Sequence, residues 1–175
     1  FTLLLQINCT EIDQSQSSII AVNIIISITC HIAMLVCPHY VGVTLVISWI
    51  NHHAEAHASE DDQKNYVNWW TAVANHLKDK DYRLSFNLFT ELGVDQCGDS
   101  CGESLRNNRK KYTRWTRDVV KAIRGTKGRN IDRILILGSP TKTAKGLSKI
   151  DKSIYENDKY MMAEWHIYAS GPNKN

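Results

Sequence analysis

The sequence predicts an α/β fold of the (β/α)8 TIM-barrel type, of which the chain forms a partial barrel. After residue 42, short apolar runs typical of buried strands alternate with amphipathic helical segments, the pattern of βαβ units and a parallel sheet. A complete barrel has about 250 residues, so four such strands make half to two thirds of one. With 43% hydrophobic and 22% charged residues, residues 1–175 are expected to form a single domain.

The strands are predicted from apolar runs at 43–50, 82–89, 133–138 and 160–168. The first run ends in a polar, His-rich turn, as expected for a buried parallel strand that leads into a functional loop. The segment 18–46 is also apolar, but it is rich in β-branched residues and contains three interrupting residues. Two buried strands are therefore favoured there over a membrane-spanning helix.

Two helices are predicted between these strands. Ser59, followed by acidic residues, is a typical N-cap for a helix that continues to about Lys80. The second helix extends from about Leu105 to Arg124 and is ended by Gly125. A helical turn is expected at 147–155. The tryptophans on the helical faces are predicted to pack in the core, and these are Trp69, Trp70 and Trp115.

The charge and cysteine patterns limit the function classes. The net charge of +3 is small and the basic residues are dispersed, apart from a cluster at 106–117, which argues against nucleic acid as a partner. The five cysteines do not have zinc-site spacing. Cys97 and Cys101 either form a local disulfide, which would suit a secreted protein, or are free thiols. The N-terminus lacks a start Met and a recognisable targeting signal.

Polar, titratable and aromatic residues gather at the predicted strand ends. Reactive groups of a β/α barrel lie at the C-terminal ends of its strands, where several strands meet at one opening. Hydrogen-bond donors and acceptors together with aromatic side chains, arranged around one opening, suit a sugar. The residues at these positions are Asn51, His52, His53 and Glu55 after the first strand, Asn87 and Glu91 after the second, Gly138 and Ser139 after the third, and Glu164, His166 and Tyr168 at the fourth.

Each of these residues also has a simpler explanation. His52 and His53 could be polar loop residues, and Glu91 could be a solvated carboxylate. His52, His53, Glu55 and His57 are also potential metal ligands, but the sequence lacks the His-Glu-x-x-His spacing of a zinc-binding helix. We therefore predict no metal and no cofactor, and keep a metal-dependent hydrolase as a weaker hypothesis.

From residue 43 to 173 the chain resembles glycoside hydrolase family 5, which includes many cellulases (endo-β-1,4-glucanases). The matching stretches follow the family's order, as its third to sixth barrel strands. Residues 1–42 do not match the family's first strands. The stretches are LVISWINHH at 45–53, RLSFNLFTEL at 83–92, VVKAIR at 119–124, RILILG at 133–138 and WHIYASGP at 165–172.

The resemblance implies a role for each matching residue. Glu91 matches the fourth-strand Glu that protonates the leaving glycosidic oxygen. Thr90 stands where the family has Asn, and so offers the sugar a shorter contact through a single hydroxyl. The remaining residues are expected to bind sugar hydroxyls and to hold the catalytic carboxylates, with His52 or His53 matching the third-strand histidine and His166 and Tyr168 the sixth-strand pair. Asn87 is expected to bind substrate beside them.

The resemblance implies an endo-β-1,4-glucanase that acts on cellulose or a related β-linked plant polysaccharide and retains the anomeric configuration. A retaining enzyme needs a second carboxylate, which the family carries on its seventh strand. Glu164, on the sixth strand, does not match it, so we expect the nucleophile to lie outside this chain. Alternatives are a noncatalytic carbohydrate-binding remnant or an inactive fragment. Self-association through open sheet edges is also expected, without nucleic acid or membrane partners.

Overall fold

The computed structural model describes residues 2–8, 44–90, 92 and 104–167. Within these ranges, five strands form one sheet whose spatial order is the order of the chain, and every neighbouring pair is parallel. The strands are β1 (Thr2–Asn8), β2 (Thr44–Ile50), β3 (Leu84–Asn87), β4 (Leu135–Gly138) and β5 (Met161–Glu164).

Helices connect β2 to β3 and β3 to β4, as expected for consecutive βαβ units. Short 3₁₀ turns follow at Gly128–Ile131, Ala144–Lys149 and Lys152–Ile154. All four strands predicted after residue 42 are confirmed, although each is shorter than its apolar run. The α-helices of the described residues are α1 (His52–His57), α2 (Glu60–Leu77) and α3 (Arg109–Gly125).

Three features of the chain differ from the prediction. The strand β1 was not predicted. The two strands predicted within the segment 18–46 fall on residues that lie, as far as residue 43, outside the described ranges, and they stay a prediction. The predicted His-rich turn after β2 is the helix α1, because the Asn51 side chain accepts a hydrogen bond from Ala54 N and caps it. The helix α3 begins at Arg109 rather than near residue 105, because Asn108 caps it by accepting from Lys111 N.

The apolar core lies between the sheet and the helices α2 and α3. Residues 45, 47 and 49 of β2 and residues 84 and 86 of β3 belong to this core, as do Tyr66, Trp70 and Trp115 of the helices. The ring of Tyr66 lies 5.1 Å from Trp49 and 5.4 Å from Trp115. The prediction that the helical tryptophans pack is confirmed, since Trp70 and Trp115 are fully buried and Trp69 packs against the core.

Because side chains alternate along a strand, Ser48 and Asn87 occupy the sheet face opposite the helices. They are buried there, although they are polar. The two residues are register partners in the β2–β3 pair. The second face of the sheet is therefore covered as well, but with polar groups near the C-terminal strand ends.

At the N-terminal ends of the strands, the side chain of Arg133 joins α2 to the starts of β3 and β4. Arg133 is only 2% exposed, and its guanidinium lies 5.0 Å from the centre of the Phe86 ring. Burial lowers the pKa of Arg133 to about 10, so the side chain is still charged at neutral pH. Its acceptors are the carbonyl oxygens of Leu77, Lys80, Asp81 and Leu84 and the side-chain oxygen of Asn130.

Replacement of Arg133 by Met is expected to lower the free energy of unfolding by about 3 kcal/mol or more, because it leaves several buried carbonyl oxygens without a donor. Urea denaturation followed by circular dichroism measures this change. The matched control is Arg129→Met, because Arg129 is exposed four residues earlier. Equal stability of the two variants would contradict this role for Arg133.

Candidate functional site

The candidate site lies at the edge of the sheet where β3 and β5 end, because the C-terminal ends of parallel strands meet there. Glu164, the last residue of β5, accepts a hydrogen bond from the Asn87 side-chain amide at the end of β3. Its other carboxylate oxygen, Oε1, lies 2.6 Å from His166 Nε2. Three of the residues expected at strand ends therefore form one connected group, which is partly exposed at Glu164 and His166.

Gly138 lies at the end of β4, between the ends of β3 and β5. It is the register partner of Glu164 in β4. A Cβ atom placed on Gly138 would lie 1.9 Å from the carbonyl oxygen of Phe89, so the chain that follows β3 passes directly over this glycine. Only glycine permits this close approach of two backbones.

The backbone around Glu164 is also fixed by hydrogen bonds. Ser139 N donates to Glu164 O at 2.9 Å, and His166 N donates to Lys142 O at 2.8 Å. Ser139 Oγ donates to Thr143 O, which closes the turn after β4. The segment that carries Glu164 and His166 is thus held by the β4 side of the site.

Two buried tyrosines fix the strand ends from the helical side. The Tyr66 hydroxyl of α2 donates to Leu88 O at 3.0 Å, and the Tyr112 hydroxyl of α3 donates to Gly138 O at 2.8 Å. Burial raises the pKa of both tyrosines well above the ordinary value of 10.0.

The two histidines after β2 have different surroundings. His52 Nδ1 lies 3.1 Å from the carboxylate of Glu55, which is 2% exposed. His53 is exposed, and its ring stacks on His57 with 4.3 Å between the ring centres. Of the two, His52 is the one that lies against the protein interior.

The potential metal ligands of α1 do not converge, because Glu55 is buried whereas His53 and His57 are exposed. Among the residues that the structure describes, no group of three or more His, Cys, Asp or Glu side chains could hold a metal ion.

Thr90 is buried after β3, and its backbone N–H donates to Trp49 O at 3.3 Å, so it lies beside the end of β2. The side-chain oxygens of Ser48, Asn87 and Thr90 are buried and have no hydrogen-bond partner within the described part of the chain. Buried polar groups are normally paired, so three such oxygens at the ends of β2 and β3 are typical of a site for water or ligand hydroxyls.

Two predicted site residues, Glu91 and Tyr168, lie outside the described residues, as do all five cysteines. The roles of these residues stay predictions. The neighbours of Glu91 on both sides, Thr90 and Leu92, are buried.

Sequence reasoning missed Ser48. Its signal was present, because Ser48 is the only hydroxyl-bearing residue within the apolar run 45–50 and has the same strand phase as Val46 and Ile50.

The sequence model of the cellulase family (glycosyl hydrolase family 5) matches residues 10–175. The chain belongs to glycoside hydrolase family 5. The match includes the segment 10–42, which we expected not to resemble the family. No curated protein sequence shows significant similarity to this chain.

Solved structures, family 5 enzymes among them, share the fold of this chain. A broad-specificity endoglucanase from Clostridium acetobutylicum has a TM-score of 0.69 at 14% identity, over 97% of this chain and 52% of its own. The cellulose synthase subunit Z of Clostridioides difficile has a TM-score of 0.73 at 15% identity, over 97% and 50%. The family 5 fold is a (β/α)8 barrel, and this chain spans about half the length of these structures, which confirms the predicted partial barrel.

A family 5 enzyme from Prevotella bryantii, solved with a xyloglucan tetradecasaccharide, is also similar, with a TM-score of 0.61 at 17% identity, over 95% of this chain and 50% of its own.

In this family 5 chain, no helix of the described ranges is long and apolar enough to cross a membrane.

Replacement of Gly138 by Ala is expected to destabilise this family 5 chain by about 1–3 kcal/mol, because the added methyl group collides with the Phe89 carbonyl and the backbone must shift. Thermal and urea denaturation measure the effect. Gly125→Ala is the matched control, since a Cβ there meets nothing within 4 Å. Equal losses of stability in the two variants would contradict the close approach of the Phe89 carbonyl to Gly138.

The stability of the chain is expected to fall as the pH rises above 10.0. The unfolded chain releases the protons of Tyr66 and Tyr112 near that pH, whereas the folded chain retains them, so each tyrosine removes about 1.4 kcal/mol per pH unit until its folded pKa is reached. Urea unfolding over a pH series measures the slope. Tyr112→Phe should reduce the slope, and Tyr82→Phe, at an 83% exposed position, should not. A flat pH profile would contradict the prediction.

Proposed function

We propose that the chain is part of an endo-β-1,4-glucanase, or of a close relative, that hydrolyses cellulose or a related β-linked plant polysaccharide and retains the anomeric configuration. One structural observation supports this most directly: Asn87, Glu164 and His166 meet at the strand ends where Glu91 follows β3. Membership of glycoside hydrolase family 5 supports the reaction class.

In this mechanism, Glu91 is the general acid and base. It gives its proton to the glycosidic oxygen while a second carboxylate, about 5–5.5 Å away, attacks the anomeric carbon and forms a covalent glycosyl-enzyme. Water then attacks the anomeric carbon and displaces the second carboxylate, while Glu91 takes a proton from that water. The second carboxylate is expected from the seventh barrel strand, which follows the four strands matched in this chain.

The sugar next to the scissile bond would be bound by the residues around Glu91. Thr90 would offer its hydroxyl, and His52 and His166 would each offer a ring nitrogen. His53 is a weaker choice than His52, because it is exposed and stacked on His57. Tyr168 would complete the set of sugar-binding residues. Asn87 would bind the sugar from the buried side of the site.

The proposed partner is a β-glucan polymer or oligosaccharide. The xyloglucan bound to the similar Prevotella bryantii enzyme makes a branched β-glucan a reasonable first substrate to test. Because polysaccharides of this size are outside cells, we propose a secreted protein.

A noncatalytic carbohydrate-binding protein with the same fold is the second candidate. Thr90 favours it, because this residue replaces the Asn that normally precedes the acid in the family. In that case the strand ends would bind glucan without cleaving it.

In a protein that also carries the seventh-strand carboxylate, Glu91→Gln is expected to lower the rate of carboxymethylcellulose hydrolysis by about 10²–10⁴-fold, because the amide cannot donate the required proton. The release of reducing ends measures the rate. The matched control is Glu156→Gln, at an exposed position after Ile154. Equal hydrolysis by both variants would exclude Glu91 as the acid. Glucan binding without any reducing-end release, by a protein that carries the seventh-strand carboxylate and an unchanged Glu91, would favour the second candidate.

A further inference from the structure

We propose that Glu164 is a positioning residue that fixes the orientation of His166 and Asn87 for sugar binding. This inference rests on the proposed function, since it assigns His166 to the sugar. Glu164 does not match the nucleophile expected from the family. We therefore infer its role from its contacts with Asn87 and His166.

Glu164 uses both of its carboxylate oxygens within the site. Oε2 accepts from the Asn87 amide, and Oε1 lies 2.6 Å from His166 Nε2. The side chains of Glu164 and His166 are 24% and 26% exposed, so the contact is shielded from solvent over most of its surface. Hydrogen bonds to a charged acceptor in such a place are stronger than those between neutral groups.

The charge of Glu164 decides which atoms its neighbours present. An ionised carboxylate only accepts hydrogen bonds, so His166 Nε2 must carry a proton. In a neutral imidazole the other ring nitrogen, Nδ1, is then the acceptor. His166 would therefore meet a sugar hydroxyl with a defined hydrogen-bonding role.

The carboxylate of Glu164 also fixes the orientation of the Asn87 amide. Its NH₂ group must face Glu164, which directs Oδ1 away from the carboxylate. Oδ1 is buried and has no hydrogen-bond partner within the described ranges, and the same holds for the hydroxyl of Ser48, its register neighbour. The single carboxylate of Glu164 thus orients one acceptor on each side of the site.

The scaffold allows little freedom for another arrangement. Ser139 N donates to Glu164 O and His166 N donates to Lys142 O, and the chain after β3 passes close over Gly138. A side chain at 164 without oxygens would keep this backbone but lose the orienting charge.

The test compares Glu164→Gln, which keeps one acceptor oxygen, with Glu164→Met, which has a similar volume and none. Nitrogen NMR of the imidazole, at a pH where it is neutral, measures the tautomer of His166, and a His166→Gln variant assigns its signals. We expect a proton on Nε2 in the unchanged chain and a mixture of tautomers in Glu164→Met, with Glu164→Gln between them. Glu156→Gln should not change the spectrum. The same tautomer in the unchanged chain and in Glu164→Met would overturn the proposal.

Calorimetric titration with a cello-oligosaccharide provides the second measurement. Glu164→Met should weaken binding about tenfold, the usual effect of losing a hydrogen bond to a charged group. In a His166→Gln background the same change should have a smaller effect, because Glu164 acts through His166. Full additivity of the two losses would overturn the proposal.

The two measurements separate this proposal from the proposed function. If the unchanged chain shows the expected tautomer but binds no oligosaccharide, the proposed function fails while the contact with His166 stands. If it binds the oligosaccharide and the tautomer does not depend on residue 164, the positioning role fails while the function stands.

Discussion

The buried guanidinium of Arg133 is the interaction on which the geometry of the sheet depends. It donates to carbonyl oxygens at the end of α2 and at the start of β3, while its own backbone leads into β4. A helix end leaves carbonyls without intrahelical partners, and a planar group with five N–H donors can satisfy several of them at once. The starts of β3 and β4 are thereby fixed relative to α2.

The C-terminal ends of the strands are held by two tyrosine hydroxyls and by the carboxylate of Glu164. Tyr66 and Tyr112 hold the ends of β3 and β4 from the helices, and Glu164 joins β3 to β5 on the other face. Because β3 and β4 are only four residues long, these contacts and those of Arg133 hold both ends of each strand. The site therefore has a rigid base on which sugar-binding groups can be placed accurately.

Much of the fold could be predicted from local patterns. The run at 45–50 is apolar because both faces of β2 are covered, and the capping box of Ser59 and Asp62 begins α2 where the sequence indicates. The helix α1 could not be predicted, because a six-residue segment with three histidines has no clear period. The strand β1 was missed because its stability depends on pairing with β2, a contact distant in sequence.

The site was predicted as a set of strand ends, and its internal connections were not. Nothing in the sequence indicated that Glu164 would contact Asn87, which is separated from it by β4 and 77 positions of chain. That contact depends on the order of the strands in the sheet, which places the ends of β3 and β5 on either side of Gly138.

The sequence by itself determined the alternation of strands and helices, the residues at each strand end and the resemblance to family 5, because these depend on periodicity and on short motifs. Only the tertiary structure decided which polar groups meet, that His52 rather than His53 lies against the interior, and that Arg133 is buried. These outcomes depend on distances between elements that are remote in sequence, and packing sets those distances.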